Sequence, residues 1–296
     1  MVYWEADQLD FTVETTPPMP PPRQVLMVSP DYFDVVYVIN PHMEGHVGKV
    51  DRALASRQWE ALRDTYQQLG FEVHVLKGVP GLPDMVFCAN QTLPFRGANG
   101  QRGVVLSRMH APQRRAEVPH MAHFFERQDY VLVSIPESVS GSFEGMGDAL
   151  WHPGHALLWG GYGFRTDRAI YAWLAQTLKI HVVALRLIDP DFYHLDTCLS
   201  LLDAGTALYV PAAFDDEGRA LLQRLIPNLI AVPEHEARKL LACNAHCPDG
   251  RHVLIQQGCT ETVARLRAAG FEPIELDTSE FLKSGGSVFC MKLMFF

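Results

Sequence analysis

No stretch of the 296 residues approaches the roughly 18 uninterrupted apolar residues of a membrane span, so no membrane partner is expected. The first 24 residues carry Glu5, Asp7, Asp10 and Glu14, with neither the basic start nor the apolar centre of a secretory signal. Cysteine is scarce. Cys88, Cys198, Cys243, Cys247, Cys259 and Cys290 are scattered, and without an export signal they read as free thiols in a reducing compartment, which makes the cytoplasm the expected location. Basic runs are absent too. Lys and Arg total 25 against 34 Asp and Glu, a formal charge of −9, so the electrostatic footprint of a nucleic-acid binder is missing. No Gly-x-Gly-x-x-Gly joins a strand to a helix, and no dinucleotide or other cofactor is expected.

What is present is regular alternation. A proline-rich arm, residues 1–23 with Pro17, Pro18, Pro20, Pro21 and Pro22, precedes a single α/β domain, residues 24–296. Strands are expected at Gln24–Val28, Val35–Ile39, Glu72–Leu76, Gly103–Leu106, Tyr130–Ile135, His181–Leu187 and Ala207–Val210. Helices are expected at Lys49–Leu69, Ala111–Arg127, Arg165–Leu178, Asp216–Leu225 and Glu261–Ala269. Two of these units match: a helix, a closing Gly-Phe-Glu at Gly70-Phe71-Glu72 or Gly270-Phe271-Glu272, then a short strand. The helices recur at roughly 45–60 residues, which suggests about five β/α repeats, with a doubly wound sheet as the alternative.

Several short segments place reactive groups among glycines or apolar residues. Cys290 follows Gly285-Gly286, where paired glycines allow a tight turn before a strand; taken alone, it also reads as a buried cysteine. His194 and Asp196, two apart, would share a face if the segment were a strand, putting a base and a carboxylate in one place. Glu144 and Asp148 bracket the Gly145–Gly147 loop, which can bring acids close to a ligand or be a plain turn. Asp84 and Asn90 would share a strand face in an otherwise apolar run and so need a partner. Arg165 falls at an expected helix start, which disfavours a cation unless an anion holds it. Cys243, His246 and Cys247 form a weak metal candidate, because their spacing is not a usual zinc pattern; no metal is expected.

Taken together, from about Val28 to the C-terminus, these segments resemble the guanidine-modifying superfamily of arginine deiminases, amidinotransferases and dimethylarginine dimethylaminohydrolases. Five motifs stand in that family's order: Asp84 to Asn90, Glu144-Gly145-x-Gly147-Asp148, Arg165-Thr166, His194-Leu195-Asp196, and Gly285-Gly286 to Cys290. The resemblance implies a five-bladed α/β propeller with its active site on the pseudo-five-fold axis. It also implies a cysteine-dependent hydrolase acting on a small guanidine substrate. Cys290 would be the nucleophile and His194 the general acid/base. Glu144 and Asp196 would bind the guanidinium, Arg165 a substrate carboxylate, and Asp84 the substrate's other polar groups. Asn90 stands where deiminases have an aspartate. Together with Asn40 in Ile39-Asn40-Pro41-His42-Met43, it is similar to the arginine dihydrolase branch. Amidino transfer to an amine, dimethylarginine hydrolysis and a non-catalytic binding module are the competing readings.

The chemistry explains the residue types. A guanidinium is a stabilised cation with a poor leaving group, and an unperturbed thiol is only a few per cent thiolate at neutral pH. An imidazolium beside the thiol would favour thiolate, and paired carboxylates would fix the plane of the cation.

Overall fold

The computed structural model describes all residues, Met1–Phe296, as a mixed α/β fold of five small sheets. Four of them share one pattern: a strand pairs antiparallel with the next, which pairs parallel with a third after a helical crossover. The first sheet joins the two ends of the domain. Leu293–Phe295 runs antiparallel to Gln24–Val28, which pairs parallel with Glu72–Leu76 across the helix Arg52–Gln68. The second comprises Thr92–Arg96, Arg102–Leu106 and Val131–Val133, and the third Ala149–Trp151, Leu157–Tyr162 and His181–Arg186. The fourth comprises Leu199–Leu201, Thr206–Tyr209 and Asn228–Ala231. The fifth has the parallel pair His252–Gln256 and Glu272–Leu276, with an antiparallel bridge from His246 to Leu254 in place of its outer strand.

Local chemistry sets these elements. In the helix Arg52–Gln68 the Asp51 carboxylate caps the Leu54 N–H at 2.9 Å, and Ala55, Trp59, Leu62 and Tyr66 form one buried stripe at helical spacing. Gly70 ends it at φ +83°, a left-handed turn that disfavours other side chains, and Gly270 does the same after Thr260–Ala268. Asp216–Leu225 is capped by Asp215 on the Gly218 N–H.

Some expectations need correction. Val35–Ile39 is not a strand but an irregular crossing with Val36 and Val38 exposed, because no neighbouring strand edge pairs with it. The Ala111–Arg127 run splits into a 3-10 turn, Pro112–Glu117, and a helix, Val118–Glu126, where Pro119 fits the first helical turn. The third helix begins at Arg168, not at Arg165. Residues 1–23 are closely packed: Val2–Tyr3 adds a parallel strand to His181–Arg186, and Tyr3, Val13 and Met19 are buried. No helix is long and apolar enough to cross a membrane.

Candidate active site

The reactive residues gather in the turns that enter the outer strands of the sheets. Asn90 precedes Thr92–Arg96, Glu144 and Asp148 precede Ala149–Trp151, and His194 and Asp196 precede Leu199–Leu201. Cys290 lies three residues before Leu293–Phe295. None of these side chains sits on a strand. The face-sharing expected for His194 with Asp196 and for Asp84 with Asn90 therefore does not operate: both pairs lie in or beside 3-10 turns, Leu195–Thr197 and Pro83–Val86. Both pairs are nevertheless brought into the same buried region.

Cys290 is buried, with its thiol donating to Asp196 Oδ2 at 3.1 Å and Asn244 Nδ2 lying 3.1 Å from the sulfur. Asn244 also accepts from the backbone N–H groups of Ser287 and Cys290 at its Oδ1, so one amide shapes the loop and fixes the sulfur. Burial, then the adjacent Asp196 charge, pushes the thiol well above its ordinary range. Burial likewise raises the Asp196 carboxyl to about 7.

Glu144 lies behind His194. Its Oε2 is 2.6 Å from His194 Nε2 and 3.2 Å from Arg165 Nη1, and its Oε1 accepts from the His110 N–H. Burial alone would raise this carboxyl, but the His194 hydrogen bond and the His194 and Arg165 charges hold it well below the carboxylate range. Arg165 has the anion expected for it, though in the loop before Asp167: Nη2 donates to Ile39 O at 2.6 Å, and the guanidinium lies over the Tyr193 ring. Asp148 accepts from Thr166 Oγ1 and the Leu195 N–H, tying its own loop to the His194 turn. Gly147 is required because a Cβ there would lie 2.2 Å from Asn90 Nδ2.

No local sequence pattern pointed directly to Arg114. Fully buried, it donates to Glu117, to Asn90 Oδ1 at 3.0 Å and to the carbonyls of Asp84 and Phe87, locking the whole 84–90 turn. The i, i+3 Arg114–Glu117 pair was the available clue. Asn244 was hidden in the metal candidate, whose members do not converge: His246 bonds Tyr66, and no group of three His, Cys, Asp or Glu side chains is arranged to hold a metal. Asp84 takes Ser284 Oγ and Tyr37 OH, and Asn40 donates to Ser284 O. Ile39, Asn40 and Met43 close over Cys290, Asn90, Arg165 and Tyr193, leaving a space of about 10 Å³, roughly one water. Three buried polar atoms here lack partners: Asn90 Nδ2, Asn40 Oδ1 and Asp196 Oδ1.

A family model for N,N dimethylarginine dimethylhydrolase, eukaryotic, matches residues 41–296. The N(G),N(G)-dimethylarginine dimethylaminohydrolase of Mycobacterium tuberculosis is 39% identical, over 93% of this chain and 86% of that protein. The bifunctional arginine dihydrolase/ornithine cyclodeaminase ArgZ of Synechocystis is also 39% identical, over 91% of this chain but only 37% of its own length. Among solved structures, the N-terminal domain of ArgZ, a cyanobacterial arginine dihydrolase crystallised as a cysteine-to-serine variant with substrate, superposes with a TM-score of 0.84 at 38% identity. That match covers 92% of this chain and 97% of the domain. On this agreement across nearly the whole chain, the protein belongs to the dimethylarginine dimethylaminohydrolase family.

Proposed function

We propose that the protein hydrolyses L-arginine twice at the guanidinium carbon, giving ornithine, carbon dioxide and two ammonia, with Cys290 as nucleophile. The observation that carries this reading is the orientation of Asn90. Arg114 can only donate, so Asn90 must turn Oδ1 toward it and present Nδ2–H to the site. A guanidinium has no acceptor to offer that donor, whereas the carbonyl of a ureido group does. Asp196 Oδ1 is the complementary acceptor for a guanidinium N–H.

In the first round the substrate cation favours loss of the Cys290 proton, which passes to His194 and leaves Asp196 a carboxylate for the guanidinium, and sulfur adds to the central carbon. His194, held by Glu144 through Nε2, has Nδ1 free to protonate the departing ammonia and then to deprotonate water. Water adds to the thiouronium, the C–S bond breaks, and citrulline remains. In the second round sulfur adds to the ureido carbon, now bonded through oxygen to Asn90. A second ammonia leaves, and water releases the carbamate, which decomposes to ornithine and carbon dioxide.

The four repeated sheets and the partial fifth, with the pairing of Leu293–Phe295 on Gln24–Val28 that brings the two ends of the domain into one sheet, support an arrangement as a five-bladed propeller about an axis through this site. Arg165 is proposed to take the substrate carboxylate once Ile39 moves aside, with Asp84 and Asn40 holding its amino end. Single hydrolysis of dimethylarginine is the second reading, favoured by the family model that matches.

The test is product analysis with L-arginine, using Cys290→Ala as control. Ornithine with two equivalents of ammonia is expected from the wild-type protein, and nothing from the variant. Citrulline as the final product would overturn the two-round reading, and turnover by the variant would overturn the nucleophile.

A further inference from the structure

A second, larger cavity of about 410 Å³ shares no lining residue with the space above Cys290. Its walls come from the proline-rich segment Met19–Arg23, from Trp151 and Leu201, and from the segment carrying the nucleophile through Phe289, Lys292 and Met294. The wall is largely apolar, with one anomaly. Lys292 is fully buried, and its Nζ has no hydrogen-bond partner, resting over the face of the Phe289 ring 3.2 Å from its centroid. An unpaired buried cation is among the costliest groups a fold can carry, and natural interiors almost always pair it.

The other polar groups of the wall do not supply the missing partner. Asp249 is occupied by the N–H groups of Arg251 and His252 and by the His252 ring, and Asp203 accepts from Gly205. His246 is kept toward its neutral form by burial and by Lys292, and its Nδ1 is hydrogen-bonded to the Tyr66 hydroxyl. The chain thus sets an apolar space of ligand size beside an ammonium that no group of the wall hydrogen-bonds, and the charges acting on it from within the chain, those of Asp196, Cys88 and Cys290, make no hydrogen bond to it.

We propose that this cavity is a second binding site for a small monocarboxylate with an apolar body, the carboxylate pairing with Lys292 and the body lying against Phe289, Trp151 and the proline segment. The flexible four-carbon stem lets the ammonium swing from the Phe289 face into the cavity, exchanging a cation–π contact for a charge-assisted hydrogen bond. The site shares no lining residue with the space above Cys290, but the Lys292 charge acts on Asp196 and Cys290 from within the same segment.

Calorimetric titration of the whole protein with 3-phenylpropionate, and with its neutral amide, tests this. The acid is expected to bind and the amide to bind roughly ten-fold more weakly or worse, the loss of one ionic hydrogen bond. Lys292→Met should bring the acid down to the level of the amide. Ala204→Trp, placed at the cavity wall on another segment, should abolish binding of both. Equal affinity for acid and amide, no binding of the acid at about 10 mM, or unchanged binding by Ala204→Trp would each overturn the proposal. The acid–amide comparison and Ala204→Trp do not depend on how well the Lys292 variant folds.

Discussion

At the scale of single residues, the site is ordered by a few directed hydrogen bonds whose polarity is fixed by neighbouring side chains. Arg114 turns Asn90, Glu144 turns His194, and Asn244 holds Cys290. Asn90→Asp reverses one of these. A carboxylate there accepts from Arg114 and from a guanidinium but cannot donate to a ureido oxygen, so the variant should release citrulline as its main product. Chromatography of the arginine reaction would show this, and an unchanged ornithine yield would remove Asn90 from the second round. Asp196→Asn probes the thiol. Burial is the larger cause of its raised position and the Asp196 charge the next, so the amide should lower the pH midpoint of Cys290 alkylation while abolishing turnover. An iodoacetamide rate profile against pH reads this directly, and a midpoint that stays put or rises would contradict it. The residues proposed to face the substrate were legible as types in the sequence, because Asn, His, Asp and Cys in glycine-flanked or apolar runs need a reason to be there. Arg114 and Asn244 were not. Their role lies in contacts spanning 24 and 46 residues, which no local pattern encodes.

At the scale of elements, each of these turns sits at the entrance to a sheet, and the Cys290 turn carries a cost. Burial pushes the Lys292 ammonium down from 10.5 to about 7, while in the unfolded chain it keeps its ordinary value. Between those values the unfolded chain binds the extra proton, so this residue makes stability rise with pH from about 7 to about 10 and sets a constant penalty below 7. Lys292→Met should therefore be more stable than wild type by roughly 2–5 kcal/mol at pH 7, with the gain shrinking toward pH 10. Urea unfolding at pH 7 and 9.5 measures it, and a gain that grows with pH would show that the lysine is paired in the folded state. Helices such as Asp216–Leu225 and strands such as Glu72–Leu76 were readable to the residue, because caps and periodicity are local. The strand expected at Val35–Ile39 failed for the complementary reason: a β-rich composition makes a strand only when an edge is available to pair with it.

At the scale of the whole molecule, the two ends of the chain converge on the same structure from opposite directions. The C-terminal strand Leu293–Phe295 completes the first sheet beside Gln24–Val28, and in doing so it draws the Cys290 turn into the site. The N-terminal arm does the corresponding work on the outside. Val2–Tyr3 extends the third sheet, Pro18 bridges His155, and Met19–Arg23 walls the second cavity. None of the arm lines the space above Cys290. Removing residues 1–23 should therefore separate stability from chemistry. Loss of the buried Tyr3, Val13 and Met19 side chains removes roughly 1.5–3 kcal/mol apiece of apolar burial, partly offset by the ordering entropy the arm no longer loses. The melting temperature is expected to fall on the order of ten degrees. Below that transition the arginine product pattern should stay unchanged, while 3-phenylpropionate binding disappears with the cavity wall. Scanning calorimetry and product analysis on the truncated chain decide the matter. A truncated protein with normal stability would make the arm's packing energetically idle, whereas altered product ratios in a folded one would mean that the arm reaches the catalytic turns through the shared Phe289–Met294 segment.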